Sequence, residues 1–115
     1  MSGFQSIDID AALERVGGDL EMLREVAGLF LEESSRLMAA VEQALLTGDG
    51  QRLARAAHSL KGSVSTFCAQ QAYEAARALE TAGRNEDLSQ AARDLARLSS
   101  AIDALAPELS ALACS

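Results

Sequence analysis

Apolar residues return every three or four positions along most of this chain, and a single proline, Pro107, interrupts its whole length. That spacing is the period of a helix, since a half-buried strand would alternate at two. Alanine and leucine supply most of the apolar content, and aromatic residues make up only 3%. Such a composition favours helices packed through small side chains over a β-sandwich. With 115 residues, 49% of them hydrophobic, there is material for one core. We therefore expect an all-α fold forming a single domain over residues 1–115.

Caps and breakers divide the pattern. Residues 1–5 show no periodicity and are expected to be disordered. Ser6 to Asp10 supply capping side chains for a short helix over Ala11 to Val16, closed by Gly17 and Gly18. Asp19 suits the N-cap of a long helix whose apolar stripe is Leu20, Leu23, Val26/Ala27, Phe30, Leu37/Met38, Val41 and Leu45. Ser34 is the weak point of that stripe. Thr47-Gly48-Asp49-Gly50 predicts a tight turn in which Asp49 or Gly50 caps a third helix from Gln51 to Cys68. A fourth helix is predicted over Gln70 to Thr81, with Ala72/Tyr73, Ala76 and Leu79 inward and Gly83 just past its end.

Asn85 is then expected to cap a fifth helix whose seam is Leu88, Ala91/Ala92, Leu95, Leu98, Ile102, Leu105, Leu109 and Leu112. Pro107 lacks a backbone donor and clashes with the carbonyl four residues back, which predicts a kink or break and a frayed or kinked end over 106–115. Short connections force sequential helices antiparallel. The expected architecture is an antiparallel four-helix bundle with a short additional N-terminal helix.

Charge and cysteine usage narrow the function. A net charge of −7 argues against nucleic acid as a partner, because phosphate binding draws on clustered Lys and Arg. No apolar run reaches the roughly 18 to 20 residues that span a bilayer, and the N-terminus lacks the layout of a signal peptide. A cytoplasmic protein without membrane insertion is expected. Cys68 and Cys114 have no metal-type or disulfide-framework spacing and read as reduced thiols. No additional apolar stripe is evident in the sequence, which makes a monomer the expectation.

One residue then stands out. His58 is the only histidine of the chain and falls inside the third helical pattern. At about 100° per residue, Leu53, Ala57, Leu60, Val64 and Phe67 form a narrow core arc. On the same count His58 lies about 140° from Leu53, among Gln51, Arg55, Gly62 and Ser65, with Lys61 on its flank. The imidazole is therefore expected to face solvent. Gly62 follows one turn later, and a glycine in mid-helix costs about 1 kcal/mol relative to alanine. Gly62 lies nearly opposite Leu60 and Val64, so a tight crossing in the core does not account for it; clearance for a partner does.

Between Gly50 and Tyr73 there is no acidic residue, while Arg52, Arg55 and Lys61 are present. Cationic neighbours disfavour imidazolium, so a locally positive window around a neutral, nucleophilic imidazole is expected. Lys61 and Arg55 are also candidates to compensate the charge of a phosphoryl group or meet an acidic pocket. The parts of an autonomous enzyme are missing: no Asp or Glu is placed in sequence to orient the ring, no phosphate loop occurs, and no second histidine could complete a metal site. A lone exposed nucleophile suits a carrier whose partner brings the catalysis.

The stretch Ala57-His58-Ser59-Leu60-Lys61-Gly62-Ser63 resembles the phosphoacceptor motif of histidine-containing phosphotransfer (HPt) domains of bacterial two-component phosphorelays. Phe30-Leu31-Glu32-Glu33, the Gly48-Asp49 turn and Ala76-Arg77-Ala78-Leu79-Glu80 are similar to the same family's layout, so the likeness runs from about Ile7 to Gly83. The resemblance implies that His58 accepts a phosphoryl group at Nε2 from a receiver-domain aspartate and passes it to another receiver, or back. It implies that Lys61 helps to hold that group and that Gly62 admits the receiver's loops, with Gln51, Arg55, Ser59 and Ser65 as further partner-binding positions. No cofactor is implied in this chain; Mg²⁺ is expected in the partner, a response-regulator receiver or that of a hybrid histidine kinase. The sequence departs from the common pattern at Val64, Thr66 and Cys68, where the family often has a small residue, Asn and Gly.

Two other readings stay open at this level. One is the phosphoacceptor domain of a chemotaxis-type histidine kinase, against which the start at Met1 and the lack of a following domain weigh. The other is a binding-only helical adaptor whose histidine has no chemistry.

Overall fold

Five helices follow one another from the capping aspartates outward. The computed structural model describes residues 7–114, so the expectation for residues 1–5 falls outside the described residues. The helices are α1 (Ile9–Arg15), α2 (Leu20–Thr47), α3 (Gly50–Ser65), α4 (Gln70–Arg84) and α5 (Ala91–Cys114). Among the described residues there is no strand. Asp8, Asp19 and Asp49 each place Oδ1 3.1 Å from a backbone N–H three residues on, satisfying donors that a helix start leaves orphaned. α2 packs on α3, α3 on α4, α4 on α5 and α5 back on α2, while α1 touches α2 alone. This is an antiparallel four-helix bundle with a short extra helix, as the periodicity implied.

The core holds most of the expected arcs. Leu53, Ala57, Leu60, Val64 and Phe67 are fully buried on α3 and the turn after it, and Leu23, Ala27, Phe30 and Val41 face them from α2. Ser34 also lies buried in the α2 stripe, its hydroxyl turned toward Leu31 O at 3.4 Å. Leu20 departs from the expectation: it opens the helix at 40% exposure. The α2–α3 turn needs only two residues because Gly48 takes φ 70, a left-handed backbone at little cost for glycine.

Three boundaries differ from the sequence reading by more than a residue or two. α3 ends at Ser65 rather than Cys68, because Cys68 adopts φ 53 and the Ala69 N–H turns back to Val64 O at 3.4 Å. That reversal lets both Phe67 and Ala69 bury. Gly83 is not a residue past a helix end but the last buried turn of α4, where a Cβ would stand 2.5 Å from Gly50 O and 2.7 Å from Ala54 N. The backbones of α3 and α4 meet there. Asn85 closes α4 instead of opening α5; Glu86 at φ 53 ends the helical path and α5 begins only at Ala91.

Pro107, finally, does not break α5, which runs through it to Cys114. Leu105, Leu109 and Leu112 are buried on both sides of the proline while Pro107 itself is exposed, so burial offsets one lost hydrogen bond and water can solvate the freed carbonyl. No helix of the described residues is long and apolar enough to cross a membrane. Cys68 and Cys114 are free thiols, half-buried and exposed.

Candidate functional site around His58

α3 divides its residues as the helical count requires. Its core arc pins one side of the helix, and the His58 side chain on the other is 64% exposed. What the count could not supply is the neighbouring helix. α4 turns Ala72, Ala75, Ala76 and Leu79 toward the core, and these mostly small residues, with the Gly50–Gly83 contact, bring it close to α3. At that separation a carboxylate on α4 reaches the α3 histidine.

That carboxylate is Glu80, only 3% exposed. Its Oε2 lies 2.9 Å from His58 Nδ1, and its Oε1 lies 2.7 Å from the Lys61 ammonium. Arg84, one turn along α4, donates to the same Oε2 at 2.5 Å. Burial pushes the Glu80 carboxyl upward, but hydrogen bonds from Lys61 and His58 and the charges of Lys61 and Arg84 outweigh it, leaving the group below its ordinary value. An ionised carboxylate only accepts, so Nδ1 carries a proton and donates it to Glu80, and in the uncharged form of the ring the lone pair then lies on Nε2. With Nδ1 turned to α4, Nε2 is the nitrogen left to the open side of the ring.

Two expectations are corrected here. An acidic residue does orient the ring; it is absent from the local sequence because it arrives from α4, 22 positions away. The window around His58 is also not simply positive, since Glu80 sits between Lys61 and Arg84 and takes up their charge.

On the other side of His58 an open groove runs between α2 and α3. Val26, Leu29, Phe30 and Glu33 line it from α2, and Ser59, Gly62 and Ser63 from α3, with Thr66 just past its end. Phe30 stacks edge-on against Phe67 with ring centroids 6.0 Å apart, which stiffens the floor. Leu29 is 59% exposed and Met22, seven residues earlier on α2, is 50% exposed. With half-buried Val26 between them at helical spacing they form a second apolar stripe, which removes the sequence argument for a monomer. Glu33 is held by Arg36 at 3.6 Å.

The sequence-predicted residues are thus divided. His58, Ser59 and Gly62 share the groove. Lys61 turns the other way, its side chain 23% exposed and its ammonium on Glu80. Ser65 lines a separate depression with Arg15 and Tyr73. Gln51 and Arg55 line another with Gly83 and Arg84. Outside its own helical turn, no described residue comes within 4 Å of where a Cβ on Gly62 would stand, so the space it leaves is open.

Glu80, Arg84 and the α2 wall were missed from the sequence, and a signal existed for each part. Glu80 follows Ala76 by four on the buried side of α4, and a carboxylate at a buried position demands a cation or donor. Met22 and Leu29 continue from Val26, at the edge of the main stripe of α2, with steps of four and three.

A solvent-facing imidazole with Nδ1 held and Nε2 on its open side, beside an open groove on a helical bundle, is chemically able to act as a nucleophile toward a group presented from outside. No curated protein and no solved structure matches the chain significantly. A family model described as the Hpt domain matches residues 25–108, from the second turn of α2 into the last third of α5. By its fold, and by a match over most of its length, the chain belongs to the histidine-containing phosphotransfer (Hpt) domain family, whose role is phosphotransfer in two-component signalling.

Proposed function

We propose that this chain is a phosphorelay intermediate whose phosphoacceptor is His58 Nε2. The observation that carries the reading is the pairing of an exposed ring with a buried carboxylate on its Nδ1. Nε2 attacks the phosphorus of a receiver-domain aspartyl phosphate, the aspartate carboxylate departs, and the reverse step delivers the group to the same or another receiver. The receiver brings the Mg²⁺ and the transition-state electrostatics, as befits a phosphocarrier rather than an enzyme.

Glu80 fixes the tautomer and the ring's orientation. Lys61 acts first by anchoring Glu80, and its flexible stem lets the ammonium exchange onto a phosphoryl oxygen once one arrives. Gly62 and Ser59 leave the groove clear for receiver loops, and Met22, Val26 and Leu29 supply apolar contact. Gln51, Arg55 and Ser65 line depressions apart from this groove, so in this reading they meet the receiver only outside it. Hybrid histidine kinases, which carry receivers, are the matching donors, and the cytoplasm is where we expect it to act.

The test is labelling by a phosphorylated receiver domain with Mg²⁺. An acid-labile phosphate should appear on the native chain and be absent from His58→Gln, with the helical circular dichroism unchanged. Label that persists in His58→Gln would overturn the assignment. A binding-only adaptor would instead bind receivers and take no label.

A further inference from the structure

We infer that Glu80 keeps the Nδ1 proton on the ring after phosphorylation, so that phospho-His58 is held as a phosphoimidazolium and stays ready to give its phosphoryl group away. The inference rests on the phosphoacceptor reading and concerns what the site does once loaded.

The chemistry follows atom by atom. The Nε2 lone pair forms the N–P bond as the P–O bond of the donor breaks and its electron pair leaves with the donor oxygen. The ring then carries a positive charge and still holds the Nδ1 proton. If water takes that proton, the product is a neutral phosphoimidazole whose departure would have to generate an imidazolate, a poor leaving group. If the proton stays, the N–P electron pair returns to Nε2 on discharge and leaves the neutral, Nδ1-protonated ring that began the cycle. Loading and discharge then neither release nor consume a proton.

Whether the proton stays depends on the charges that face the ring from each side. From α4 come Glu80 on Nδ1 and Arg84 on the same carboxylate oxygen; from α3 come Lys61 on the other oxygen and Arg55 one turn before the ring. From α2 comes Glu33, which shares the groove and is already paired with Arg36. Arg55 and Glu33 are exposed and screened, so the group at close range decides. In that group Glu80, Lys61, Arg84, a protonated ring and a phosphoryl dianion cancel. Loss of the ring proton leaves the cluster one unit negative, at a carboxylate buried to 3% exposure where uncompensated charge is costly. Replacing Glu80 by a neutral acceptor reverses this balance, because the cluster then cancels only after the proton has gone.

The experiment uses phosphoramidate, a small phosphodonor that needs no receiver, on the full chain with ¹⁵N-labelled histidine. ³¹P and ¹⁵N NMR across the neutral range read where the phosphate sits and whether Nδ1 keeps its proton, and hydrolysis of the phosphate is followed at the same pH values. In Glu80→Gln, which still offers an oxygen to Nδ1–H, we expect the phosphorylated ring to hold its proton about tenfold more weakly than in the native chain. Its hydrolysis should slow at the upper pH values, where the native rate persists. Arg84→Ala, a change at an exposed side chain that the fold tolerates, should move both readings the opposite way. Superimposable proton titrations in the native chain and both variants would overturn the inference while leaving the carrier assignment intact. A native chain that takes no phosphate above the His58→Gln blank would overturn both.

Discussion

Gly62 and Gly83 belong to the same pair of packed helices and have opposite surroundings. At Gly83 a Cβ would strike Gly50 O and the Ala54 backbone, so the absent side chain is what allows α3 and α4 to touch. At Gly62 a Cβ would meet nothing within 4 Å, and the helix bears the entropic cost of glycine with no return inside the chain. One glycine is spent on the fold, and the other leaves open space beside His58 that, in the proposed function, admits a partner. Cys68 is the converse case, a side chain at φ 53 where glycine would sit more easily.

The strongest way to break this contrast is Gly83→Ala. We expect a loss of about 3 kcal/mol in thermal or urea unfolding, because the obstacle is backbone on α3 and cannot rotate aside. Wild-type stability in Gly83→Ala would mean that the helices can separate without penalty. Cys68→Gly should act in the other direction and raise stability by about 1 kcal/mol, since it relieves a left-handed residue with no hydrogen bond lost. Gly62→Ala has the smallest expected effect on the fold, a gain of up to about 1 kcal/mol. Its phosphoryl transfer from a receiver should nevertheless fall. A Gly62→Ala protein that is stabilised and transfers at the native rate would remove the case that the open space serves a partner.

The local rules written in the sequence carried a long way. Asp19 and Asp49 cap their helices because capping is decided within three residues, and the Leu53-to-Phe67 arc is buried because helical periodicity is a local property. The same arithmetic turned His58 outward. What escaped was set by contacts between helices. Gly83 reads as a stop signal until Gly50 is known to lie against it, and of the kink or break that Pro107 predicts, the break does not occur because Leu105 and Leu109 hold α5 down. Glu80 is the costliest omission. In sequence it is one carboxylate in an acidic chain; only the packing of α4 against α3 puts it on Nδ1, reverses the picture of a purely positive window and draws Lys61 away from solvent.

The division of the site between two helices also determines how small a working unit can be. A peptide excised to cover α3 would contain His58, Lys61 and Gly62, every residue by which the motif is recognised, yet its imidazole would tumble between tautomers with no carboxylate to hold it. Grafting that stretch onto another helical scaffold would fail in the same way unless the host supplied a second helix at the spacing that Gly50 and Gly83 allow, with an acid facing the ring. The smallest portable piece is therefore a docked α3–α4 hairpin, about twice the length of the helix that carries the signature.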